Sequence, residues 1–135
     1  KSFYKYFYGN EWRDIMADSQ FSLCPRGYGR TSYHLVETLQ MGLIPIHVFS
    51  DVPWVPYAGL FEEIGYVSHS SQIESLVNEL QGVTKEQLEK REQRIVSLLQ
   101  SHFSIKGVMQ QIEHFMKGDK NDLRCQALPL TIRDS

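Results

Sequence analysis

From Pro25 to Ser32 the chain reads Pro-Arg-Gly-Tyr-Gly-Arg-Thr-Ser, with two arginines and two glycines between positions 26 and 30. A segment of this kind brings guanidinium forks and unpaired backbone N–H groups to one point, which is chemistry suited to a phosphate or diphosphate. Arg26, Gly27, Gly29, Arg30, Thr31 and Ser32 are the candidate anion-binding residues. The same residues would also serve as a plain strand-to-helix connection, its glycines making the turn and its arginines solvated. Two nucleotide fingerprints are missing: Ser32 stands where GxGxxG needs its third glycine, and no lysine completes GxxxxGK[ST]. Glu37 lies one turn after Tyr33, opposite Leu35 and Leu39. A carboxylate one to two turns below a diphosphate can accept ribose hydroxyls, although a solvated glutamate needs no ligand at all.

These residues need elements to hold them. Trp12, Ile15 and Met16 have the spacing of a short helix ending near Asp18, and Phe21 and Leu23 alternate as in a strand that runs out at Pro25. Thr31 or Ser32 is an N-cap for a second helix, with Leu35, Val36 and Leu39 on its apolar face and Gly42 as its stop. Leu43 to Phe49 is a short apolar run, the pattern of a strand covered on both sides, and Pro45 is tolerated near its start. Ser50 to Gly59 is expected to be a loop, and a third strand is expected around Ile64 to Val67. Ser71-Gln72-Ile73-Glu74 and Thr84-Lys85-Glu86-Gln87 match the capping-box pattern and predict helices over 71–81 and 84–102. Another helix is expected over 104–117, closed by Gly118. Strand, glycine loop, helix, strand, loop, strand is βαβ order, which predicts a Rossmann-like α/β domain with a parallel sheet and flanking helices. Ligands of such sheets bind outside the carboxyl ends of the strands, where the Cys24–Thr31 segment falls.

At 135 residues the chain fits one domain, 1–135, with a motif region at 19–60, a helical region at 71–118 and a tail at 119–135. It carries 14 Lys and Arg against 16 Asp and Glu, a net charge of −2. No global cationic field would attract nucleic acid or an anionic membrane, so an anion has to be caught locally. No apolar run is long enough to span a bilayer, and direct membrane insertion is not expected of this chain. Cys24 and Cys125 form no CxxC pair, and His34, His47, His69, His102 and His114 make no HxH or HxxxH cluster, so no metal site is expected. Both cysteines read as small buried hydrophobes.

Leu23-Cys24-Pro25-Arg26-Gly27-Tyr28, then Ser32, Glu37 and Gly42-Leu43-Ile44-Pro45-Ile46, resemble the C-terminal signature of exostosin-type glycosyltransferases: CPxGY, a serine, a helical glutamate, then GxxPV or GxxPI. Ser50 and Asp51, followed by the proline-rich stretch to Tyr57, resemble that family's next loop. The resemblance implies the C-terminal half of an enzyme with two Rossmann-like halves, holding a UDP-type sugar nucleotide for inverting transfer to a glycan acceptor. It implies that Arg26, Gly27, Thr31 and Ser32 hold the diphosphate with Arg30 assisting, and that Glu37 binds the ribose. Tyr28, Tyr33 and Asp51 would touch the base or the sugar. An aspartate after a buried strand is also a common turn former, and Trp54 and Tyr57 suit either sugar stacking or packing on the sheet.

Positively charged groups set in advance around a departing nucleoside diphosphate stabilise the transition state more than the ground state. No cofactor beyond the donor is then called for, and no DxD triplet is present. The catalytic residues stay unassigned, because the general base of an inverting transfer is expected in a missing N-terminal half. The chain, which lacks an initiator methionine, reads as an excised piece of a longer protein; a eukaryotic parent of the exostosin type would work in the Golgi lumen. A competing expectation is a non-catalytic Rossmann-like interaction module, suggested by the Leu88, Ile95, Leu98, Leu99 stripe, which would serve equally as core.

Overall fold

The computed structural model describes residues 9–118. The expected tail, 119–135, and Cys125 within it lie outside them. Element order is α1 (Glu11–Ala17), β1 (Phe21–Pro25), α2 (Tyr33–Gln40), β2 (Ile44–Phe49), α3 (Ala58–Ile64), β3 (Tyr66–His69), a 3₁₀ turn (Ser70–Gln72), α4 (Ile73–Leu80), α5 (Lys85–Leu98), a π-helical turn (Leu99–Phe103) and α6 (Ile105–Met116). The three strands form one parallel sheet in the order β1-β2-β3, so the molecule is α/β with flanking helices and a small sheet. Cys24 lies opposite His47 in the register of β1 and β2, and His47 lies opposite Val67 of β3.

Strand periodicity sorts the side chains. Ser22 and Cys24 share one face of β1 and both meet α2, through His34 and Thr38. β2 is covered on both faces, as its apolar run predicts, and every residue from Ile44 to Val48 is buried. Leu35 and Leu39 of α2 join Cys24, Ile44, Phe61, Ile64, Leu88, Ile95, Leu98 and Phe103 in one core. The Leu88, Ile95, Leu98 stripe of α5 is therefore buried inside this chain. Several large apolar side chains of α6 are left in solvent, among them Ile105, Met109, Phe115 and Met116.

Helix ends follow local chemistry. α2 begins after Ser32 and is followed by Gly42 at φ +77, a left-handed position that glycine adopts without strain. Thr84 and Gln87 form both halves of a capping box on α5, and Ser104 accepts from the Gly107 N–H on α6. Gly107 is also required by packing, because a Cβ there would sit 2.5 Å from the Gln100 carbonyl oxygen, where α6 crosses the π-helical turn.

Four expectations need correction. The segment 50–59 is not all loop: α3 starts at Ala58 and runs to Ile64, with Phe61 and Ile64 buried. The third strand is Tyr66–His69 rather than 64–67, because Ile64 closes α3 and Gly65 makes the extended link. The capping box expected at Ser71–Glu74 does not form; the His69 ring accepts from the Ser71 N–H at 3.2 Å and caps the 3₁₀ turn that precedes α4. A histidine two residues upstream reached the amide first. The helix expected over 84–102 also changes winding at Leu99, continuing as a π-helical turn to Phe103.

Candidate functional site

The carboxyl ends of β1 and β2 carry the two loops that make the site. Arg26 follows β1 directly and keeps the register of the sheet one step further, its N–H donating to the Val48 carbonyl at 3.0 Å. The loop then folds on itself, with the Gly27 N–H donating to the Thr31 carbonyl at 3.2 Å. Closure of this short ring returns Arg30 toward Arg26, and Ser32 stands at the N-cap of α2. The Ser32 hydroxyl is shielded from solvent and has no hydrogen-bond partner among the described residues. The first amides of an α-helix lack intrahelical acceptors and carry the positive end of its dipole.

Both arginines converge on Asp51 of the loop after β2. Arg26 Nη1 lies 2.8 Å from Asp51 Oδ1, and Arg30 Nε lies 3.6 Å from Oδ2. Two guanidinium groups and one carboxylate leave the cluster with one net positive charge. The Val52 backbone N–H, together with the charges of Arg26 and then Arg30, holds the Asp51 carboxyl below its ordinary range. Arg26 also donates through Nη2 to the Tyr28 carbonyl at 3.4 Å.

Two histidines hold the Asp51 loop in place. His69 at the end of β3 meets the Ser50 carbonyl through Nε2 at 3.3 Å, and buried His47 accepts from the Trp54 N–H through Nε2 at 3.4 Å. Burial lowers the pKa of His47, with an opposing contribution from the Cys24 backbone. The ring is therefore kept in the neutral form that can accept from Trp54. Sequence reasoning missed both histidines as site residues. The signal for His47 was a polar side chain in the middle of an apolar strand; the role of His69 depends on strand register, which no local pattern specifies.

Glu37 is exposed and stands by a separate groove beside β1, about 570 Å³ in volume, lined by Trp12, Ile15, Phe21, Leu23, His34 and Glu37 among others. Its carboxylate lies 3.9 Å from His34 Nδ1, and His34 Nε2 is 2.9 Å from the Ser22 hydroxyl. Of the predicted residues, Arg26, Arg30 and Asp51 are brought into contact, and Gly27 and Thr31 shape the loop between them. Gly29 has open space around it, and Tyr28 and Tyr33 extend into solvent. Trp54 is half exposed, whereas the Tyr57 ring packs edge-on to His102 and Phe103, and its hydroxyl donates to the His102 carbonyl at 3.2 Å. Cys24 is fully buried, which raises its thiol pKa. No group of three or more metal-ligating side chains occurs among the described residues, and no described helix is long and apolar enough to cross a membrane.

No protein-family model matches the chain, and no curated protein matches it significantly.

Proposed function

We propose that this chain is the donor-binding domain of a glycosyltransferase that uses a UDP-type sugar nucleotide. The observation that carries the reading is the convergence of Arg26 and Arg30 over the carboxyl ends of β1 and β2, beside the amino end of α2. Parallel α/β sheets receive ligands at that edge, and arginine forks with helix amides suit a diphosphate. The resemblance of residues 19–60 to exostosin-type enzymes supports the same reading. Glu37, exposed on α2, supplies the carboxylate that the resemblance assigns to the ribose hydroxyls. The diphosphate then lies over the 26–32 loop, and the sugar points toward the Asp51 loop.

In this arrangement the work of the chain is electrostatic. As the sugar–phosphate bond breaks, negative charge grows on the departing UDP, and Arg26, Arg30 and the first amides of α2 would stabilise it. The acceptor glycan and the general base that deprotonates its hydroxyl come from a second half of the protein. Calorimetric titration with UDP tests the reading. Binding by this chain that is lost in Arg26→Ala supports it, and absence of UDP binding by the unaltered chain overturns it.

A further inference from the structure

We infer that Asp51 is a built-in counter-anion, occupying between Arg26 and Arg30 the position a phosphate would take, so that a ligand enters by exchanging with it. The inference rests on the donor-binding reading and adds a regulator of affinity to that site. A carboxylate offers two oxygens from one centre to two guanidinium groups, the same pattern a phosphate offers, and Asp51 uses one oxygen on each arginine. The contact joins two different loops, so releasing it opens the corner of the sheet instead of unravelling either loop.

Exposure makes the exchange inexpensive. The side chains of Arg26, Arg30 and Asp51 are 30%, 57% and 41% exposed, so solvent screens the ion pairs and a solute reaches them directly. A diphosphate carries more charge and more acceptor oxygens than the carboxylate it displaces, and it also reaches the amides of α2. The Asp51 loop has fixed points on either side for the movement, at Ser50 through His69 and at Trp54 through His47. While Asp51 holds both arginines, only the fraction of molecules with the pair open can bind, which weakens the apparent affinity by that fraction.

The test compares this chain with Asp51→Asn and Asp51→Ala, measuring inorganic pyrophosphate and UDP binding by calorimetry and unfolding temperature without ligand. The expected result is an affinity gain of about 2- to 5-fold in both variants, the range open to an exposed ion pair, together with a slightly lower unfolding temperature, since two neighbouring arginines lose their shared carboxylate. A brace that merely orients the arginines predicts that affinity and stability fall together. Binding by the unaltered chain with equal or weaker binding by both variants overturns the inference and leaves the donor reading standing. Absence of pyrophosphate and UDP binding in all three proteins overturns both.

Discussion

Arg91 and Arg94 on α5 and Arg26 and Arg30 in the β1–α2 loop all face oxygen atoms, but the two pairs are built for different tasks. Arg91 donates to the Glu62 carbonyl at 2.6 Å and to the Gly65 carbonyl at 3.4 Å, and its guanidinium lies 4.4 Å from the Tyr66 ring centroid. Arg94 has its own carboxylate, Glu63, at 2.6 Å. Those arginines close the end of α3 onto α5, one through carbonyls and a ring and the other through a carboxylate that it does not share. Arg26 and Arg30 share one carboxylate on another loop, and a positive charge is left over. An arginine that stacks on a ring and satisfies carbonyls at a helix end is a brace. Two arginines that share one exposed carboxylate across two loops are the pair proposed to receive a ligand.

The contrast is sharpest in paired substitutions. Arg26→Ala should weaken UDP binding by about 1.5 to 3 kcal/mol, the cost of a charged hydrogen bond, while shifting the unfolding midpoint only slightly. Calorimetry and urea denaturation on the same sample separate the two effects. Arg91→Ala should do the reverse, costing about 2 kcal/mol of stability through two lost charged hydrogen bonds and a cation–π contact, with UDP affinity unchanged. Equal effects of the two substitutions on binding would break the distinction between brace and site.

The helical side of that contrast was partly legible in the sequence. Thr84 and Gln87 fixed the start of α5 because a capping box is complete within four residues, and Gly42 marked the end of α2 because a left-handed residue is a local requirement. β1, β2 and the parallel arrangement followed from apolar runs separated by a glycine loop. α3 escaped because its seven residues are too few to show a helical period between Pro56 and Gly65. At the site, the residue types of the 26–32 loop were legible, but the pairing of Asp51 with both arginines was not. That pairing depends on adjacent strands placing two loops side by side, and nothing within either loop encodes it.

A smaller effect concerns the histidine beneath the site. His47 has a folded-state pKa below its ordinary value of 6.5 because burial disfavours the charged ring. As the pH falls below about 6.5 the unfolded chain takes a proton that the folded chain refuses. Stability should therefore fall toward lower pH, by up to ~1.4 kcal/mol per pH unit, until the lowered folded pKa is reached. Urea midpoints between pH 7 and pH 5 measure the slope, and His47→Gln should flatten it. The smallest change is expected for Arg94→Ala, about 0.5 kcal/mol or less, because its ion pair with Glu63 is substantially exposed. A larger loss would mean that Arg94 shares the bracing role of Arg91.

We propose above that the arginine pair at the carboxyl edge of the sheet receives a nucleoside diphosphate. Titrating UDP into the isotopically labelled chain and following backbone amides by NMR tests it most directly. The account predicts saturable shifts concentrated at residues 26–37 and in the Asp51 loop, with α5 and α6 quiet; shifts confined to residues 85–116, or none at all, would contradict it.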